Sequence, residues 1–315
     1  MTKHCGLCTQ MPVPVEIREK AISIAMDENP NNINTIHRSI DSVRPAAAPV
    51  GARKIFFEVG KTWQNGRVLP VYFLDHVSRK LRDRIMKTAS VWSQYGNIHF
   101  EETAIREESI IRIANYAGEG HWSYLGTDAL TIPRSRITMN YDGNTIDENT
   151  IQSEMDRVVI HEFGHAIGCP HEHFSPDVKI PWDKEKVYAY YWRTQGWSRS
   201  EVDAQVLQKY DMSQVSLMTS YDKDSIMHYA VPGDLLTNSA AEVDWNRELS
   251  NGDKVGVGAM YPLATAAAAP SNYTKSSLNK MREKAVVEIA RGMGIEASVD
   301  DLKAETIAKI LKKQE

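Results

Sequence analysis

The stretch HEFGHAIGCPHEH, residues 161–173, decides how this chain is read. His161 and His165 are four residues apart. On a helix their side chains stand one above the other on the same face and can bind one cation. Gly168 has no Cβ, so it readily takes the left-handed conformation that ends a helix. The chain then turns back and can deliver His171 as a third nitrogen. Three neutral imidazoles suit zinc, one ion per chain, and leave a fourth position for water, the arrangement of a catalytic site. Glu162 need not be a ligand. It is placed to take a proton from the metal-bound water, whose pKa zinc lowers to about 7. A lone buried histidine is ordinarily a hydrogen-bonded core residue. Three of them in register with a glutamate on a largely apolar helix are not, because a charged glutamate there is costly without a partner. Three imidazoles also accept other divalent ions, and selection among them depends on supply.

Outward from this motif the chain divides into four parts. Residues 1–52 are polar and irregular, with MDENPNNIN in the middle and a Pro/Ala/Gly run at RPAAAPVGA. Residues 53–263 form the compact region. KIFFEV and VLPVYFL read as strands around TWQNGR, where Asn65-Gly66 is a hairpin-turn signal. Val77, Leu81, Ile85, Ala89 and Trp92 recur at three- and four-residue steps, an amphipathic helix within Asp75–Tyr95. NIHFEE, IIRIANY and RITMNYD read as strands. IQSEMDRVVIHEFGHAIG is a buried helix, and ELSNGDKVGVGAMYP a last short one. Residues 264–274 are an Ala-rich linker, and 275–315 read as two short helices around a Gly-containing turn.

Composition sets outer bounds. The 315 residues are 42% hydrophobic and 25% charged with net charge −4, ordinary for a soluble protein and unlike a whole-chain nucleic-acid or membrane-surface binder. The C-terminal helices are nearly balanced in charge, so nucleic acid is not the expected partner there, and a monomer is expected. No stretch is long and apolar enough to span a membrane, and no secretory signal is recognisable. The location stays open between intracellular, exported without a usual leader, and made with a leader that this sequence does not include. Three cysteines (Cys5, Cys8 and Cys169) cannot build a disulfide framework.

The long motif H-E-x-x-H-x-x-G-x-x-H, followed by SIMHY at Ser225–Tyr229, is the metzincin signature with its Met-turn. With HAIG at 165–168 and HEH at 171–173, the chain resembles the astacin family of zinc endopeptidases over about residues 53–263. The resemblance implies an α+β, two-lobed metzincin fold with a twisted upper sheet above the zinc-site helix. It implies a protein or peptide substrate. It implies zinc on His161, His165 and His171, and Glu162 as general base. Met227 would form an apolar floor under the metal. Tyr229 would be a movable fifth ligand and oxyanion donor, and Glu172 the residue that senses the mature N-terminus. WSYLG looks like the family's substrate edge strand (Trp122, Ser123, Tyr124 and Leu125, within Gly118–Gly126), and TWQNGRVLPVYF like its opening hairpin.

The chain also departs from the family. It lacks the usual cysteines and has no F-x-G-D stretch, which leaves activation and the role of Glu172 open. A plain tail with two unremarkable thiols is the first reading of residues 1–52. The alternative is a pro-segment whose Cys5 or Cys8 occupies the open zinc position until it is removed near Ala46–Pro49, since a thiolate is a good zinc ligand. Two rivals to an active endopeptidase follow: a latent zymogen, and a catalytically silent metal-binding interaction protein. The second would be expected to have lost Glu162 or a ligand, and none is lost.

Overall fold

The computed structural model describes residues 8–34, 57, 58, 60–211, 214–217, 221–263, 275–279, 286, 287, 290, 295 and 303–314. In chain order, β1 (Cys8–Met11) leads into α1 (Arg18–Glu28). β2 (Phe57–Glu58) and β3 (Val68–Phe73) precede α2 (Arg79–Ala89). β4 (His99–Glu102), β5 (Ile111–Ala114), β6 (His121–Tyr124) and β7 (Met139–Asn140) come before α3 (Gln152–Ala166), which carries the first two histidines of the motif. α4 (Lys184–Gln195), β8 (Val215–Leu217) and α5 (Asn251–Met260) follow, then α6 (Lys275–Asn279) and α7 (Lys303–Gln314).

The sheet runs β1-β6-β7-β5-β3-β4. β3 pairs in parallel with β4 and β5, β5 in parallel with β7, and β6 lies antiparallel to β7. α2 and α3 pack against it, which makes the fold α+β. β3 places Leu69, Val71 and Phe73 in the core by simple alternation, and α2 adds Leu81, Ile85 and Ala89 at four-residue steps. Ser78 caps α2 by accepting the Leu81 N–H at 3.3 Å. Val158, Val159, Phe163 and Ile167 carry α3 into the same core, beside Met227, Val257 and Tyr261. A core of this size stabilises the chain where disulfides do not: Cys8 and Cys169 are both free and buried. Leu278, Val286, Ala290, Ile307 and Ile310 form a separate small cluster in the C-terminal helices.

Two expectations need correction. The first is the hairpin at TWQNGR. β2 is two residues long and pairs with β8, not with β3. Residues 60–67 instead form a loop that drives Trp63 into the core, and Gly66 N–H donates to Asn97 O at 2.7 Å. The Asn-Gly pair turns that loop; it does not join neighbouring strands.

The second is the irregular tail. Over residues 8–34 the segment is folded onto the domain. Ala21 and Ala25 of α1 are buried, and Glu28 accepts from Arg67 Nε at 2.8 Å with both side chains buried. Asn29 Nδ2 donates to Thr62 Oγ1 and Trp63 O, and Asn32 Nδ2 donates to Ala25 O and Thr62 O, at 2.8–3.1 Å. Within the polar run MDENPNNIN, Glu28, Asn29 and Asn32 are buried with their polar groups satisfied, so no hydrophobic period announces the segment. Cys5, the 46–49 stretch and the 264–274 linker lie outside the described residues.

Candidate metal centre and active site

The end of α3 is fixed by its neighbours. Trp92 Nε1 donates to Ile160 O at 2.9 Å, Trp63 Nε1 to Ala166 O at 2.8 Å, and Tyr261 OH to Ile167 O at 2.6 Å. Gly168, at φ 103°, closes the helix as its spacing predicts. Cys169 N–H donates to Gly164 O and Gly168 N–H to His165 O, the paired bonds of a Schellman cap. The reversal brings His171 back over the helix.

The three imidazoles then converge. Nitrogens of His161, His165 and His171 lie within 4.8 Å of one another. His161 Nδ1–H donates to Ile226 O at 2.7 Å and His165 Nδ1–H to Cys169 O at 2.8 Å. A carbonyl only accepts, so each of these rings carries its proton on Nδ1 and offers the Nε2 lone pair to the centre. His161 Nε2 is buried with no hydrogen-bond partner among the described residues, and His165 Nε2 faces His171 Nε2 at 3.0 Å. Tetrahedral zinc with nitrogens at about 2.0–2.1 Å holds them roughly 3.3 Å apart. Burial pushes the His165 imidazole down to about 4, and burial with the neighbouring imidazoles holds His161 and His171 well below the usual histidine range. All three stay neutral, as metal ligands must be. The residues present fit zinc.

Glu162 is fully buried beside this cluster, and neither carboxylate oxygen has a hydrogen-bond partner among the described residues. Burial pushes its carboxyl up to about 8, against smaller opposing effects of the Cys8 thiol and the Arg157 guanidinium. Arg157, one helical turn before His161, is held by Glu154 at 2.5 and 2.9 Å and lies 4.3 Å over the Trp245 ring. The Tyr229 ring lies beside that of the third histidine, tilted by 49°, with centroids 4.2 Å apart. Met227 is buried against α3. Glu172 is buried, with Oε1 accepting from Asp222 N–H at 3.0 Å and Oε2 without a hydrogen-bond partner among the described residues.

The N-terminal segment enters this same place. The Cys8 thiol lies within 4.8 Å of a His161 nitrogen and a Glu162 oxygen, and the Tyr229 hydroxyl donates to the Cys8 backbone carbonyl. β1 runs parallel along β6, with Cys8 opposite His121 and Met11 opposite Tyr124. Trp122, Ser123 and Tyr124 are therefore in a strand next to the site, and Leu125 follows just past its end. That strand is second from the edge here, because β1 covers it. The first reading of the tail as two unremarkable thiols is wrong for Cys8, which is buried at the centre of the site.

Residue patterns alone did not single out Ser225, Asp253 or Arg157. Ser250-x-x-Asp253 does carry the S/T-x-x-D/E signature of a helix start, and both halves of that capping box form.

A sequence model described as Astacin, a peptidase family, matches residues 57–235. This chain belongs to the astacin family. As an astacin it is a zinc metalloendopeptidase, a hydrolase acting on peptide bonds, and uses one catalytic zinc. Among solved structures, one of myroilysin is 38% identical, with a TM-score of 0.63, covering 66% of this astacin and 99% of that chain. A crystal structure of myroilysin is 34% identical, with a TM-score of 0.51, covering 72% and 98%. Comparison with curated proteins gives no match.

Proposed function

We propose that this astacin cleaves peptide bonds with Glu162 as general base and His161, His165 and His171 holding the zinc, and that its N-terminal segment keeps it latent. The observation that carries the catalytic part is the Glu162 carboxylate, fully buried beside three converging imidazoles with no partner at hydrogen-bond geometry among the described residues and only a weak donor, the Cys8 thiol, next to it. An orphaned carboxylate costs stability, and active sites are where such costs are kept.

Zinc, when bound, supplies Lewis acidity that brings the pKa of water to about 7, within reach of a carboxylate. Glu162 takes the proton of the attacking water at a carboxylate oxygen and delivers it to the leaving amine. Tyr229 donates a hydrogen bond from its hydroxyl to the oxyanion developing on the scissile carbonyl, as it donates one to the Cys8 carbonyl here. The β6 edge binds the substrate backbone by ladder hydrogen bonds.

Latency follows from shared places. β1 uses the β6 edge, the Cys8 carbonyl takes the Tyr229 hydrogen bond, and the Cys8 thiol stands beside Glu162 and His161. A thiolate there is a ready ligand for the metal. Removal of the segment, with a cut in the 46–49 linker, frees all three places. The unpartnered Oε2 of Glu172 is then available to a new N-terminal ammonium.

Zinc content and quenched-peptide hydrolysis, measured together, test both parts. The full chain, the chain cut in the 46–49 linker, the Cys5→Ser/Cys8→Ser chain and Glu162→Ala should all hold one zinc. Hydrolysis should be fast in the cut chain, slow in the full chain, raised by the cysteine substitutions and absent in Glu162→Ala. Equal activity in the full chain and the cysteine variant would sink the thiol switch. Zinc without hydrolysis in every form would favour a silent metal-binding protein.

A further inference from the structure

Two of the three histidine ligands hang from one turn, and that turn hangs from one buried carboxylate. Asp253 Oδ1 accepts from Ser225 Oγ–H at 2.6 Å, and its Oδ2 accepts from Ile226 N–H at 2.8 Å. The same Ser225 Oγ accepts from Met227 N–H at 3.0 Å. That N–H belongs to the peptide unit whose carbonyl, Ile226 O, accepts from His161 Nδ1–H at 2.7 Å. The next carbonyl, Met227 O, accepts from Glu172 N–H at 2.9 Å, in the peptide that follows His171. Carboxylate, hydroxyl, peptide and imidazole thus form a continuous chain of donors and acceptors, all pointing one way. Asp253, Ser225 and His161 are all buried.

We propose that Asp253, acting through Ser225 and the Ile226–Met227 peptide, is a positioning residue of the metal centre that fixes the tautomer and placement of His161 and the backbone at His171. A peptide N–H held by a hydroxyl that is itself held by a carboxylate makes its own carbonyl a stronger acceptor, since chained hydrogen bonds polarise one another. A stronger acceptor at Nδ1 raises the basicity of Nε2, the lone pair offered to the cation. Asp253 also closes a capping box at the start of α5, accepting from Ser250 N–H at 2.9 Å. Capping alone calls for that bond and leaves the bonds to Ser225 and Ile226 without a purpose. The proposal rests on His161 being a zinc ligand.

The experiment is zinc affinity of the full chain by chelator competition, with the absorption spectrum of the cobalt-substituted protein as a second readout. The variants are Asp253→Asn, Ser225→Ala, Ser225→Thr, His161→Ala and Val187→Ala. Asp253→Asn removes the charge and puts an amide donor where an acceptor stood. Asp253→Asn and Ser225→Ala should each weaken zinc binding about 10- to 100-fold and shift the cobalt spectrum. Ser225→Thr, which keeps the hydroxyl, should restore both. Val187 lies in a separate apolar cluster with Tyr191 and Val202, so Val187→Ala should lower stability without weakening zinc. Wild-type zinc affinity in Ser225→Ala, or equal weakening in Val187→Ala, overturns the proposal, and Ser225→Ala decides if Asp253→Asn does not fold. His161→Ala separates the two levels. If it binds zinc like wild type, the ligand assignment fails; if it loses zinc while Ser225→Ala does not, only the positioning role fails.

Discussion

Gly164 and Met227 meet where a Cβ has no room: one built on Gly164 would stand 2.3 Å from the Met227 sulfur and 3.1 Å from the Trp92 ring. The thioether is fully buried, so it has little space to retreat. Gly164→Ala gains about 1 kcal/mol of helix propensity and loses about 1–3 kcal/mol to overpacking. The expected net result is destabilisation with weaker zinc binding, because the helix and the turn are pushed apart between His161 and His165. In a Met227→Ala background the penalty should shrink to what the Trp92 ring still imposes. A double-mutant cycle in urea reads the coupling directly; additive effects would mean that the two residues do not press on each other.

Glu28 and Arg67 tie the N-terminal segment to the catalytic domain across a buried contact of 2.8 Å. Leaving one charge of a buried pair uncompensated costs about 3–5 kcal/mol. Glu28→Gln should therefore loosen α1 from the Thr62–Arg67 loop while leaving the core around β3 intact. The expected outcome is faster cleavage by an added protease ahead of residue 57, and a higher basal rate of peptide hydrolysis by the uncut chain. Unchanged cleavage kinetics would show that the asparagine network at Asn29 and Asn32 suffices to hold the segment.

His121 sets an acid limit on stability. Its Nδ1 accepts from Asp142 N–H at 3.0 Å, which requires the neutral ring. Burial, helped by the Arg157 charge, lowers it from 6.5 to about 4. A base with a depressed folded pKa favours folding fully above pH 6.5, and that contribution is lost as pH falls from 6.5 towards 4. The loss is on the order of 3 kcal/mol, since one unit is worth about 1.4 kcal/mol. Urea unfolding at a series of pH values should show wild type weakening through this window more steeply than His121→Gln. Parallel curves would mean that His121 does not carry the effect.

The residues proposed to hold the metal were readable because ligand chemistry dictates spacing. A four-residue step, a glycine and a third histidine leave few alternatives. The α2 helix was readable because burial on one face imposes a period of about 3.6 residues, and α3 because it is apolar on most faces and buried. What stayed hidden depends on partners distant in sequence. β2 finds β8 far along the chain, and no local turn signal reports that. The fold of residues 8–34 rests on buried asparagine amides and one ion pair, which composition reads as a loop. Asp253 has ordinary neighbours in sequence, and only the tertiary structure brings it to Ser225. Cys8 was offered by the sequence as one of two alternative thiols, and the tertiary structure brings it to Glu162.

Glu162 should trade stability for activity in a way that zinc removal reveals. Its carboxylate is fully buried with no partner at hydrogen-bond geometry among the described residues, and burial raises its carboxyl to about 8 against the smaller effects of the Cys8 thiol, a weak donor, and the Arg157 guanidinium. Such a group destabilises the fold by about 1–3 kcal/mol. Glu162→Ala should then abolish hydrolysis yet raise the melting temperature of the zinc-free protein by roughly 2–10 °C. With zinc present the gain should shrink, because a nearby cation compensates the charge that the substitution removes. Chelation should also lower the wild-type melting temperature more than that of Glu162→Ala, since a ligand that binds only the folded state stabilises it by mass action and the carboxylate adds to that binding. Four melting curves, wild type and Glu162→Ala with and without chelator, measure this coupling. A lower melting temperature for Glu162→Ala in both states would mean that the carboxylate is held by a stabilising partner and is not an orphan kept for catalysis.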